Sequence, residues 1–270
     1  MTNDYIQALT IAGNDSDGSA GMPADLLSFF RRGVYGMGLL TSAVAGNSYQ
    51  IEAAEIMPAA FITQQFKTLA KDFHIRASKT GMLANAEVIE TVAKNYQEVD
   101  FGPLIVDPVI ITKHGAMLLE QEAYETFREK LLPMAAVITP NFYEAQKLTE
   151  LPLADKSEIE HGAKLLQKLG AKNVMIKGRH DDAEQDVVSD YVLLENGEHF
   201  WLTEPYVHTN RVNGTGDSLS AVITAEIAKG RDVATAIKIA KKFVHQAIAN
   251  PIEVGHQFGP INHWAPTDED

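Results

Sequence analysis

The run Asn213-Gly214-Thr215-Gly216-Asp217-Ser218 precedes the apolar stretch Leu219 to Ala228, which places an acid inside a glycine-bracketed turn that opens a helix. Glycine admits positive φ and lets a ligand come close to the backbone. The first N–H groups of a helix lack intrahelical partners and converge where the macrodipole is positive, which suits a phosphate. An aspartate in that turn repels a phosphate unless it accepts a proton from the group that attacks the phosphorus. The segment therefore reads as a phosphoryl-transfer centre, with Gly214, Thr215 and Gly216 as an anion hole and Asp217 as general base. An ordinary first-turn helix acid is the competing reading of Asp217.

Further polar residues close apolar runs. Ile105-Val106-Asp107-Pro108-Val109 ends in an acid placed to meet Mg²⁺, or simply in a turn-initiating Asp-Pro. Asn141 and Glu144 stand three apart at a helix start, so they share a face and can reach one metal or phosphate; the same spacing fits an N-cap with an acidic third residue. Lys177, after Val174-Met175-Ile176, offers positive charge to a β/γ-phosphate, or is a surface lysine. In Lys79-Thr80-Gly81-Met82, Thr80 and Gly81 form a turn and Met82 forms a wall for something flat and apolar. The glycines Gly13, Gly18 and Gly21 do not have dinucleotide-fingerprint spacing, and a lysine-bearing P-loop is absent. That loop instead wraps a small polar substrate, with Asp15 and Asp25 as acceptors, or is a capped turn with Pro23 near the first helical position. His256 and His263 lie in a stretch punctuated by glycine and proline, which favours packing of the C-terminal tail over zinc binding.

Positioning these groups needs a frame, and the hydrophobic pattern supplies one. Ala8–Ala12, Leu39–Ala45, Ile75–Lys79, Leu104–Val106, Ala136–Thr139 and Val174–Lys177 read as strands, alternating with amphipathic stretches near 22–32, 59–72, 86–95, 119–131, 141–149 and 157–169. The alternation predicts a parallel sheet covered on both faces, with sites along the carboxyl ends of the strands. At 187–203 the period changes to two around Asn196-Gly197, the signature of an antiparallel edge hairpin, and helices at about 214–229 and 233–249 follow. The 270 residues read as one α/β domain, with 265–270 as a frayed tail.

With 23 basic against 36 acidic residues the formal charge is −13, which argues against nucleic acid or an anionic membrane as partner. No run approaches membrane-spanning length and the start lacks a basic signal region, so the expected location is cytoplasmic. The absence of cysteine excludes disulfides and thiolate chemistry.

Taken in order, Ala8-Leu9-Thr10-Ile11-Ala12-Gly13, the Gly18 to Leu26 segment, Val34-Tyr35-Gly36-Met37, Lys79-Thr80-Gly81-Met82-Leu83, Val106-Asp107-Pro108-Val109, Ile138-Thr139-Pro140-Asn141 with Glu144-Ala145, and Gly214-Thr215-Gly216 resemble the hydroxymethylpyrimidine/phosphomethylpyrimidine kinases and bacterial pyridoxal kinases of the ribokinase superfamily, over about residues 7–264. The resemblance implies a ribokinase-like three-layer α/β/α fold, a homodimer, and an ATP- and Mg²⁺-dependent kinase for a small heteroaromatic alcohol. It implies that Gly13, Asp15, Asp25, Gly46, Met82 and Val109 line the substrate side. Asn141, Lys177 and Asn213 then serve ATP, and Asp107 and Glu144 serve the metal.

Two departures from the family pattern stand out. Asp217 occupies a place where this branch commonly has cysteine, which strengthens its assignment as base. Thr112 occupies that of a second cysteine, which excludes a thiol-assisted lid. Gly46-Asn47 stands where pyrimidine-specific members often have glutamine-asparagine. Loss of that amide opens the pocket to a larger ring, so the sequence favours pyridoxal or pyridoxine, with hydroxymethylpyrimidine as the alternative. A non-catalytic binder on the same fold would have no reason to retain the base, and a Rossmann oxidoreductase is opposed by the glycine spacing.

Overall fold

A computed structural model describes residues 4–111, 119–180 and 184–267. Its centre is a nine-stranded sheet in the order β3-β2-β1-β4-β5-β6-β7-β8-β9. The strands are β1 (Gln7–Asp15), β2 (Tyr35–Gly46), β3 (Ile51–Ile56), β4 (Ala77–Thr80), β5 (Leu104–Val106), β6 (Ala135–Ile138), β7 (Asn173–Ile176), β8 (Val187–Leu193) and β9 (His199–Pro205). From β2 to β7 neighbouring strands run parallel, whereas β3, β8 and β9 pair antiparallel at the two edges.

Helices cover both faces. One core gathers Leu9, Ile11, Leu39, Val106, Ile138 and Ile176 against α2 (Ala59–Ala70), α3 (Ala86–Gln97), α4 (Gln121–Thr126), α5 (Phe142–Thr149) and α6 (Lys156–Lys168). The opposite face, with Ile105, Val137 and Met175, packs on α7 (Thr215–Ala228) and α8 (Val233–Ala249). Ala8 and Ala77 complete that face against α7 together with Phe29 of α1 (Gly21–Arg31). Alternation along each strand divides the apolar residues between the two layers, as a doubly covered sheet requires. The result is the ribokinase-like three-layer architecture.

Several boundaries differ from the sequence reading. β1 continues through Gly13, Asn14 and Asp15, so the expected loop begins as a strand. It stays extended because each of the three has a partner in Ser42, Ala43 or Val44 of β2. β3 has no counterpart among the expected strands. Its side chains are exposed, so no buried face imposes an apolar alternation on the sequence. The tail is not frayed at its start: Ala265 is buried and its carbonyl accepts from Arg31. Residues 268–270 and Thr112 lie outside the described residues.

Strand order reverses about β1 and β4, and ligands of open α/β sheets bind at such a switch point beyond the carboxyl ends of the strands. Gly13 to Asp15, Lys79, Thr80, Gly46 and Asp107 all lie at strand ends on that side, where α7 also begins.

Candidate active site

The glycine turn forms as its composition demands. Gly214 is the N-cap of α7 at φ 79°, a left-handed conformation that favours glycine. It is also pressed against α1's approach, since a Cβ there would lie 2.3 Å from the Ser19 carbonyl oxygen. Both conditions exclude a side chain, and with it a side-chain cap. Ser218 N–H closes the first helical bond onto Gly214, and Thr215 N–H turns back toward Val212 at 3.4 Å. The Thr215 N–H is therefore partly diverted from the expected anion hole, whereas those of Gly216 and Asp217, in the first turn of α7, have no intrahelical acceptor.

A cation and an acid flank this turn. Lys177 Nζ is 3.6 Å from Asp107 Oδ1. A Cβ on Gly216 would lie 3.4 Å from that same ammonium and 3.5 Å from Asp107 Oδ2. Ser220, one turn into α7, donates to Asp107 Oδ2 at 3.3 Å. The ends of β5 and β7 are thus brought onto the first turn of α7. Asp217 is half-buried there, and Ser220 Oγ and Lys79 Nζ donate to its main-chain oxygen at 3.0 and 3.4 Å.

Asn141 and Glu144 realise the capping alternative. The Asn141 carboxamide oxygen accepts from Glu144 N–H at 3.0 Å and Glu144 Oε2 accepts from Asn141 N–H at 2.7 Å. Glu144 Oε1 accepts from Ile110 at 2.9 Å and from Ile111 at 3.5 Å, and Asn141 Nδ2 donates to the Ile111 carbonyl. Glu144 is buried, which pushes its carboxyl up to about 7 against the opposing pull of Lys177. Both its oxygens are engaged by backbone donors, as the capping alternative requires. Asn141 likewise has its amide committed at both ends.

The substrate-side residues divide. A Cβ on Gly13 would meet Ser42 Oγ at 2.6 Å and Met82 Cε at 3.1 Å, so Gly13 and Met82 share one wall and the glycine keeps it open. Gly46 faces Asp15, whose Oδ1 would lie 3.3 Å from a Cβ built there. That carboxylate oxygen and Ser42 Oγ are buried without a hydrogen-bond partner among the described residues. Burial, reinforced by Asp17, raises the Asp15 carboxyl above the ordinary range, and Asp217 adds to the effect, which links β1's end to the start of α7. Val109 holds φ 48°, a strained conformation for a β-branched residue, immediately after Asp107 and Pro108.

Asp25 differs from the others on this side. It is fully buried, bonded to Lys79 at 2.6 Å and to Thr10 Oγ1 at 2.6 Å, so both of its oxygens are engaged within the protein. The Lys79 partnership was missed. Its signal was a lysine within a short strand at the centre of a doubly covered sheet, where burial calls for a counter-charge.

The C-terminal segment holds the turn from the other side. Asn213 N–H donates to Gly259 and its carbonyl accepts from Ile261. Its side-chain amide reaches Ser19 Oγ at 3.4 Å. His263 Nε2 meets Ser218 Oγ at 2.9 Å, and its ring also bonds the Ala24 backbone. This matches the packing role expected for His263.

An uncapped helix start carrying an acid, with a lysine–aspartate pair at its flank in a ribokinase-like sheet, defines a phosphotransferase that acts on an alcohol group. The matching family model, phosphomethylpyrimidine kinase, covers residues 15–262, and the chain belongs to this family. It is 45% identical to the hydroxymethylpyrimidine/phosphomethylpyrimidine kinase of Haemophilus influenzae, over 96% of this chain and 97% of the relative. The Bacillus subtilis protein of the same description is 39% identical, over 96% and 95%. Among solved structures, an ADP complex of Bacillus subtilis pyridoxal kinase superposes with TM-score 0.87 at 34% identity, covering 97% of this chain and 98% of that one. The phosphomethylpyrimidine kinase of Clostridium difficile gives 0.80 at 33%, covering 90% and 99%.

Proposed function

We propose that the protein is an ATP- and Mg²⁺-dependent kinase that phosphorylates the hydroxymethyl group of hydroxymethylpyrimidine and then the phosphate of the resulting monophosphate. The observation that carries the reading is the uncapped start of α7, with Asp217 in its first turn and Lys177 and Asp107 beside it. The substrate hydroxyl gives its proton to the Asp217 carboxylate as its oxygen bonds the γ-phosphorus, and ADP leaves with the electron pair of the broken bridging bond. The N–H groups of Gly216 and Asp217, with Lys177, offset the charge on the transferring group. Asn213 positions the turn, and Asn141 shapes the nucleotide side through α5.

The donors present fit magnesium of the kind that takes most of its ligands from phosphate and water. Asp107 would hold it, and among the described residues no group of three or more His, Cys, Asp or Glu forms a complete cage. When bound, the ion neutralises phosphate charge. Support for ATP comes from a pyridoxal kinase of Staphylococcus aureus solved with AMP-PCP and pyridoxal, similar to this chain at TM-score 0.87 and 31% identity.

Pyrimidine heads this reading because curated relatives at 45% and 39% identity carry that description, which outweighs the preference for vitamin B6 drawn from Gly46 alone. B6 vitamers remain the second reading. It is favoured by the absence of a side chain opposite Asp15 and by the pyridoxal kinases among the structural neighbours. An ATP-consumption assay across hydroxymethylpyrimidine, its monophosphate, pyridoxal, pyridoxine and pyridoxamine tests the order. The expected result is a higher kcat/KM on the pyrimidines, and a higher value on pyridoxal transfers the assignment. Gly46→Gln should shift the ratio further toward hydroxymethylpyrimidine; an unmoved ratio removes Gly46 from the pocket. Residence in the cytoplasm as a homodimer belongs to the same proposal, and sedimentation of the purified protein tests the second part. No helix among the described residues is long and apolar enough to cross a membrane.

A further inference from the structure

Lys79 and Asp25 are both fully buried and meet at 2.6 Å. Thr10 of β1 donates to the second oxygen of Asp25, also at 2.6 Å. The same lysine ammonium lies 3.4 Å from the main-chain oxygen of Asp217. One cation thereby ties β4, β1 and α1 to the first turn of α7. Burial disfavours its charge, but the carboxylates of Asp25, Asp217 and Asp107 together keep Lys79 protonated.

Stability alone is a poor reason for such a pair. Desolvation of two buried charges largely offsets their attraction, and well-packed apolar replacements are often as stable or more so. An apolar floor would join the sheet to α1 as well. It would provide neither a donor to the Asp217 carbonyl nor a fixed positive charge beneath two acids that face an incoming phosphate.

We infer that Lys79 is a positioning residue for phosphoryl transfer. Thr10 orients Asp25, Asp25 orients Lys79, and Lys79 fixes the Asp217 peptide while offsetting the negative charge gathered above it. The inference rests on Asp217 being the general base.

The deciding variant is Lys79→Met combined with Asp25→Asn. It removes both charges at similar volume and leaves an amide oxygen for Thr10. The expected result is a thermal midpoint and an ATP KM close to wild type, with kcat reduced on the order of 10²-fold, the scale of a misplaced catalytic group. Wild-type kcat overturns the inference. So does a loss of kcat that only follows a matching loss of stability, which would make the pair structural. If the double variant does not fold, Thr10→Val decides: a several-fold lower kcat at unchanged midpoint supports the chain of orientation, and unchanged kcat overturns it. Asp217→Asn in the same assays separates the two readings. An inactive Asp217→Asn beside an active double variant rejects Lys79 alone, whereas an active Asp217→Asn rejects the base assignment and this inference with it.

Discussion

Two helices begin at the same crevice, and they treat their free N–H groups in opposite ways. α5 closes its own start: Asn141 and Glu144 exchange hydrogen bonds, and Glu144 reaches on to Ile110 and Ile111. α7 starts at a glycine with no side chain to cap it, held against Ser19 so closely that none would fit. Capping stabilises a helix by satisfying donors, whereas a helix that must receive a phosphate has to leave donors open. The reactive end is therefore recognised by what is missing from it. The capped end beside it supplies rigidity, placing Thr139 to Asn141 and the loop after Asp107 in a fixed relation to the open one.

The contrast breaks most sharply at Asp217. Asp217→Asn preserves shape and removes the proton acceptor, so kcat is expected to fall by about 10²–10⁴ with ATP binding retained. Single-turnover rates beside nucleotide titration would show it, and turnover within a few-fold of wild type would end the base assignment.

Gly214→Ala attacks the open end by occupying it. The left-handed conformation alone costs about 1–3 kcal/mol for a residue with a Cβ, and displacement of Ser19 adds to that. A lower unfolding midpoint is expected together with a kcat loss of about tenfold or more. The same substitution at the exposed turn glycine Gly197, where a Cβ meets nothing within 4 Å, should cost only the strain.

His263 sharpens the comparison through pH. Burial lowers its imidazole to about 4 from an ordinary 6.5, so the unfolded chain binds the extra proton between those values. The contribution of neutral His263 is complete above pH 6.5 and is lost as pH falls toward 4, by about 2 kcal/mol at pH 5. Buried acids such as Glu144 titrate in the opposite sense over part of this range, so the comparison is between wild type and His263→Gln. Denaturant unfolding at pH 7.5 and pH 5 should show wild type losing its advantage at the lower pH, and a constant difference would mean the ring is already charged in the folded protein.

The smallest effect is expected at the closed end. Glu144→Gln should reduce stability by about 1 kcal/mol, the worth of a cap, and leave the Mg²⁺ concentration for half-maximal rate unchanged. Asp107→Asn should raise that concentration. A raised requirement in Glu144→Gln would restore the glutamate to the metal.

Most of the frame was legible in the sequence because burial on both sheet faces imposes apolar strands and because Asn196-Gly197 marks its hairpin. The glycine turn was legible because its conformation permits few other residues. Asn141 and Glu144 showed the limit: three-residue spacing at a helix start serves a cap and a metal pair alike, and only the atoms each carboxylate oxygen touches distinguish them. Asp25's partners were hidden for a related reason. An acid near a glycine-rich loop looks available until its partner, 54 residues away in Lys79, is seen. β3 escaped because an exposed edge strand carries no periodic signal.

The bonds that pin Asn213 and Ser218 come from Gly259, Ile261 and His263, which follow every strand and helix of the sheet in chain order. During synthesis the scaffold can therefore close before its reactive turn is secured. A nascent chain released short of Gly259 should show the circular dichroism of an α/β fold yet transfer no phosphate. On the proposed mechanism, catalytic competence would then arrive after the architecture and not together with it.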